Sequence, residues 1–147
     1  MVSAMSSTKG DRVERECINR LRDLGLKIMR APSSGSATTR DLPDVLAGDG
    51  EGIIIAGEVK AGGGERLYLE GKEVSALVRF ARGFHPDAVP LIVTRWDRDT
   101  NFYVRHAEDE RLHRTDSGKV RAKKETCAEE WRTVEDFLTR GGEIRTD

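Results

Sequence analysis

A chain of 147 residues is long enough for one hydrophobic core and short for two. Its apolar share of 37% and charged share of 35% suit a small α/β domain with a heavily charged surface. The formal net charge of −1 excludes a uniformly basic protein, so any nucleic-acid footprint must come from the arrangement of charges in space.

Residues 1–10 read as a flexible N-terminal lead and residues 11–147 as one domain, with the pattern weakest beyond residue 106. A first helix is expected over residues 11–24, where Val13, Cys17, Ile18, Leu21 and Leu24 share an apolar face. Glu14 falls within that face and Arg15 lies beyond its edge. Gly25 is a plausible stop. A short strand follows, with Leu26, Ile28 and Arg30 on one side. Residues 32–43 form a loop rich in turn formers, and Pro43 biases Leu42 toward an extended conformation.

Asp44 opens a short strand over residues 44–48, and "DGEG" reads as a hairpin turn. The next strand, residues 53–61, places Ile54, Ala56, Glu58 and Lys60 on one side, with Ile53, Ile55, Gly57, Val59 and Ala61 on the other. Residues 66–70 read as a brief extension. A second helix over residues 72–82 packs through Val74, Leu77, Val78 and Ala81. Phe80 and Phe84 broaden this apolar surface, toward a second helix or another subunit, or as a wide packing face within one domain. Lys72, Ser75, Arg79 and Arg82 form the opposite polar stripe, which is solvated or touches phosphate. Two strands, residues 89–96 and 101–106, flank a turn. Beyond them, residues 114–119 resemble a turn. Thr133, three residues before Asp136, resembles the cap of a final helix containing Val134, Phe137 and Leu138.

Cys17 and Cys127 are too few and too far apart for a disulfide scaffold or a zinc knuckle, and read as free thiols. The longest aliphatic run, residues 53–56, is too short to cross a membrane, and the amino terminus lacks a secretion signal, so a cytoplasmic location is expected. Residues Gly62, Gly63 and Gly64 lack the Lys-Ser or Lys-Thr of a phosphate-binding loop. His85, His106 and His113 lack ligand spacing, and Trp96 and Trp131 read as packing residues.

The chemistry concentrates on Asp44, Glu58 and Lys60. Antiparallel pairing of their strands brings the start of one near the end of the other. Two carboxylates there suit a hard divalent cation, magnesium with several retained waters. Glu14 can add a third oxygen or orient a water. Lys60 can orient an attacking water or neutralise charge on a phosphate, while Arg15 and Arg30 can hold phosphates. Taken singly, Glu-x-Lys is ordinarily an exposed cross-strand pair and Asp after Pro a turn residue. Their combination with an aliphatic strand and a carboxylate on the helix's apolar face favours a metal site.

The blocks "KGDRVERECINRLRDLG" (9–25), "KIMRAPSSGS" (27–36), "LPDVLAG" (42–48), "GEVKA" (57–61) and "LYLEGKEVSALVRFARGF" (67–84) resemble those of archaeal Holliday-junction resolvases, within the restriction-endonuclease-like nucleases. The resemblance covers residues 9–106 closely. It implies an α/β fold with a central mixed β-sheet flanked by helices. It also implies a metal-dependent endodeoxyribonuclease of recombination and repair, acting as a homodimer that nicks two opposing strands of a four-way junction. On this pattern Glu14, Asp44 and Glu58, with the Val59 backbone carbonyl, are the expected metal ligands, for Mg2+ or Mn2+ in its place. Lys60 is the expected catalytic lysine, Arg15 and Arg30 the arginines, and Ser34 or Ser36 the loop serine near the scissile phosphate. Lys9, Arg15, Arg30, Lys72, Arg79 and Arg82 are expected at the DNA, and Leu77, Phe80 and Phe84 at the dimer interface. The alternatives are another DNA endonuclease of the superfamily and a catalytically silent DNA-binding dimer.

Overall fold

The computed structural model describes residues 2–31 and 42–139, with side chains from residue 9 onward. The chain order is α1 (Val2–Asp23), β1 (Lys27–Arg30), β2 (Val45–Gly48), β3 (Ile54–Gly62), β4 (Arg66–Leu69), α2 (Gly71–Phe84), β5 (Ala88–Trp96) and β6 (Phe102–His106). It continues with β7 (His113–Arg114), β8 (Val120–Lys123), α3 (Lys124–Glu130), β9 (Arg132–Thr133) and α4 (Val134–Thr139).

Six strands form a mixed sheet in the order β1-β2-β3-β5-β6-β9. Among the described strands only β3 and β5 run parallel, in register from Ile54 opposite Ala88 to Gly62 opposite Trp96. A parallel neighbour demands a long crossover, here the segment through β4 and α2. Because β3 and β5 lie in the middle of the sheet, their aliphatic side chains are covered on both faces. On one face α1 and α4 bury Val13, Cys17, Leu21 and Phe137 against Ile55, Val93 and Val104. On the other, α2 and α3 bury Val74, Leu77, Ala81 and Cys127 against Ala56, Ile92 and Trp96. The free thiols of Cys17 and Cys127 therefore lie on opposite sides of the sheet and cannot pair.

Several expectations need correction. The lead is not separate from the first helix: α1 begins at Val2 and runs through Gly10. A Cβ at Gly10 would meet nothing within 4 Å, so this glycine marks no close approach. An interior glycine costs only about 0.5–1 kcal/mol. The Lys9–Asp97 ion pair and the buried Val13 on either side also fasten this part of the helix to the sheet.

Leu24 is exposed because the helix has already ended. The Gly25 N–H donates to the Arg22 carbonyl and the Leu26 N–H to the Leu21 carbonyl, with Gly25 at φ 98°. This is the glycine-terminated Schellman arrangement. Leu77 is 2% exposed within the core, so it is removed from the candidate dimer residues. Phe80 is half-buried and Phe84 exposed. Their rings stack with centroids 5.6 Å apart.

The chain beyond residue 106 is an integral part of the fold. β8 pairs with β4 and β7 in a second, three-stranded sheet, and β9 closes the edge of the main sheet against β6. Thr133 caps α4 as its spacing suggested, its Oγ1 accepting the Asp136 N–H at 3.1 Å. Trp96 and Trp131 are buried packing residues.

Candidate active site

The hairpin from β2 to β3 brings Asp44 beside Glu58. Val45 lies opposite Gly57, and a Cβ at Gly57 would come within 2.9 Å of the Val45 side chain. Glycine is thus what allows the two strands to close here. Just beyond the last β2 pairing, the Val59 N–H donates to Asp44 Oδ2 at 2.8 Å. A strand residue presents its N–H and C=O to the same edge, so the Val59 carbonyl also faces this open end. The hydrogen bond engages one oxygen of Asp44, leaving the other for a ligand.

Glu58 follows Gly57 on the same strand, and Lys60 shares its face. Burial pushes the Glu58 carboxyl up to about 8, with the Asp44 and Glu73 carboxylates adding to the rise. Burial also raises Asp44, to about 6, against the Val59 hydrogen bond that opposes it. Two carboxylates that resist ionising side by side are a concentrated hard-oxygen donor set, which a divalent cation would relieve. The donor chemistry therefore fits a hard divalent cation, which Asp44, Glu58 and the Val59 carbonyl would hold. Among the described residues no three His, Cys, Asp or Glu side chains are already gathered as metal ligands.

Glu14 is the carboxylate that the structure does not bring into this set. Its Oε1 accepts from Arg30 Nε at 2.5 Å, and the other arm of Arg30 reaches Asp11. The pleat explains the separation. Arg30 shares the side of β1 that Ile28 turns toward α1, whereas Glu58 and Lys60 share the α2-facing side of β3 with Ala56. The Glu14 charge is still felt at the pair, contributing to the upward shift of Asp44.

The remaining candidates are dispersed. Arg15 is exposed on α1, and Lys72 and Arg79 are exposed on α2. Arg82 pairs with Glu108. Lys9 pairs with Asp97 at 2.9 Å, away from Asp44 and Glu58. Ser34 and Ser36 lie outside the described residues.

Glu73 is a neighbour of the candidate site that was missed in the sequence. Its Oε2 accepts from Lys60 Nζ at 3.2 Å, while its Oε1 accepts the Glu70 N–H at 3.0 Å at the start of α2. One carboxylate thus caps the helix and fixes the catalytic lysine candidate. A "Glu-x-x-Glu" at a helix start was the available signal, and it spoke only of capping.

A mixed sheet with helices on both faces, bearing Glu58 and Lys60 on a central strand and Asp44 just before the strand paired with it, defines a restriction-endonuclease-like nuclease fold. The model of the archaeal Holliday junction resolvase (Hjc) family matches residues 5–145, and the chain belongs to that family. The crossover junction endodeoxyribonucleases Hjc of Sulfurisphaera tokodaii and Sulfolobus acidocaldarius are each 37% identical to it over 78 residues, 52% of this chain and 54% of theirs. That of Archaeoglobus fulgidus is 40% identical over 81 residues, 55% of this chain and 58% of its own. The chain thus spans little more than half the length of these curated relatives. The solved structure of Archaeoglobus fulgidus Hjc, a Holliday junction resolvase from an archaeal hyperthermophile, matches with a TM-score of 0.74 at 26% identity. It covers 88% of this chain and 98% of that one.

Proposed function

We propose that this chain is a divalent-metal-dependent resolvase that, as a homodimer, nicks two opposing strands of a four-way DNA junction by phosphodiester hydrolysis. The observation that carries the reading is the half-buried Asp44–Glu58 pair with Lys60 on the same face of β3, in a member of this family. Magnesium suits the donor set because it takes one or two carboxylates and keeps several waters; manganese is the natural substitute. When bound, the cation supplies Lewis acidity toward a phosphoryl oxygen and toward water.

The protein's own groups do the positioning. Asp44 is fixed by the Val59 N–H, and Glu58 is held in register by the parallel pairing with β5. Lys60, steered by Glu73, brings positive charge to where charge develops on the phosphate. Arg30, clamped by Glu14 and Asp11, presents a guanidinium of fixed orientation on the neighbouring face. Ser34 or Ser36 is proposed to reach the scissile phosphate.

The test is a fixed four-way junction labelled in turn on each strand and supplied with Mg2+. The expected products are nicks at symmetry-related positions, with 5′-phosphate and 3′-hydroxyl ends that a ligase can seal directly. Equal cutting of linear duplex and junction would instead make the chain a nuclease of the superfamily with a broader target. Tight junction binding with no cutting under either Mg2+ or Mn2+ would make it a silent binder.

A further inference from the structure

We propose that the cleft at the C-terminal ends of β3 and β5 is a second phosphate-binding site, which grips the DNA backbone flanking the cut and takes no part in the chemistry. The proposal rests on the resolvase reading above. The cleft, about 490 Å³ in volume, opens between α1 and the turn from β5 to β6, over a floor that includes Val13, Ala61 and Trp96. Lys9, Arg12, Arg95 and Arg98 also line it, against one carboxylate, Asp97. In a chain whose net charge is −1, this is a strong local excess of positive charge. Ala61 directly follows Lys60, and the pleat turns the two to opposite faces. The cleft therefore sits at the active-site end of β3 but behind it, suited to a phosphate beside the scissile one.

The cations play different parts. Arg95 is a fixed wall: its Nε donates to the Asp99 carbonyl at 2.7 Å, one arm reaches Glu16 at 2.6 Å, and its guanidinium lies over the Phe102 ring. Lys9 pairs with Asp97, but with both side chains about half exposed, the kind of pair that readily exchanges for another anion. Arg12 and Arg98 are exposed and their side chains make no hydrogen bond or ion pair among the described residues, yet their charges help Lys9 hold the Asp97 carboxyl below its ordinary range.

Arg98 supplies an independent observation. At φ 67° it is the one non-glycine residue with positive φ among the described residues. Turns that need this conformation are ordinarily served by Gly, Asn or Asp. A long cationic side chain kept there against conformational preference points to a role outside the turn.

The experiment measures binding of a fluorescent fixed four-way junction in chelator over a salt series, for the parent and for R12A, R98G and R98K, alongside thermal melts and cleavage of the same junction. R12A and R98G should each bind more weakly, with the slope of log affinity against log salt shallower by about 0.9, the effect of one lost phosphate contact. R98K should restore the parent slope. R98G should melt at or above the parent temperature, because glycine accepts the positive φ; weaker binding with an unimpaired fold is not what a merely structural arginine would give. Cleavage at saturating protein should be unchanged, with only the half-saturating concentration raised. Equal salt slopes in the variants and a parent that cuts the junction would overturn the cleft while leaving the resolvase reading standing. A parent that neither binds nor cuts junction DNA would overturn both.

Discussion

Asp44 and Glu58 show how the site and the fold compete. Folding lifts their carboxyls from 3.8 and 4.5 to about 6 and about 8, mainly by burial. The folded metal-free protein therefore holds protons that the unfolded chain has already released. This contribution is fully present below the unfolded values and is lost as pH rises through the folded ones. In chelator, the melting temperature should fall between about pH 4 and pH 8. Glu58→Gln should flatten that fall and melt higher than the parent at pH 8, yet abolish cleavage while leaving junction binding intact. A parent midpoint that does not change across this window would refute the burial account. Glu73 offers a finer test. Glu73→Gln keeps an acceptor for the Glu70 N–H but removes the charge opposite Lys60. Turnover should fall on the order of 10- to 100-fold with KM unchanged, as for a misplaced catalytic group. Glu73→Ala should in addition lose about 1 kcal/mol of stability with the cap. Steady-state kinetics and denaturant melts of the two variants separate these effects. At this scale the period of two put Glu58 and Lys60 on one face of their strand, and the antiparallel pairing of the hairpin brought Asp44 beside them. The partners of Glu14 and Lys60 were not legible, because Arg30 and Glu73 lie on other elements and only tertiary packing chooses among the available charges.

The two faces of α2 place the next test at the level of elements. Val74, Leu77 and Ala81 face the core, while Phe84 is 51% exposed beside its stacked neighbour Phe80. A stacked aromatic pair at the exposed end of a helix is a natural contact for a second copy. If it serves the proposed homodimer, Phe84→Glu should weaken self-association at least tenfold, by placing an unpaired charge in the interface, while leaving the monomer's melt within about 0.5 kcal/mol. Phe80→Glu should cost both, since Phe80 also packs on the core cluster. Equilibrium sedimentation showing the same association for Phe84→Glu and the parent would move the interface elsewhere. Strands with long aliphatic runs, β3 and β5, were readable because length and composition suffice for them. The true start of α1 was obscured by the run of Ser, Thr and Gly, residues of modest propensity that the rest of a long helix carries along. β7 and β9, two residues each, exist only because β8 and β6 pair with them, and no local pattern can announce such strands.

For the whole molecule, the question is how much of the chain the fold needs. The residues that most resemble the family lie within 9–106, but the family match extends over 5–145, and the packing agrees with the longer span. Among the described residues β8 is the only strand paired with β4, whose Leu69 is fully buried. Val120, Cys127 and Trp131 complete the core on the α2 face, and Val134 and Phe137 complete the core on the α1 face. Large buried side chains of this kind contribute about 1.5–3 kcal/mol each, against about 5–15 kcal/mol for a whole domain. Removing them from both faces at once leaves too little to fold. A chain ending after residue 106 should show no cooperative melt, and should lose junction binding and cleavage together even though it retains Asp44, Glu58 and Lys60. A chain ending after Thr139, which closes α4, should melt cooperatively near the full-length temperature. If the shorter chain melts cooperatively and still cuts, then the elements up to β6 suffice on their own and the C-terminal part is an accessory rather than part of the core.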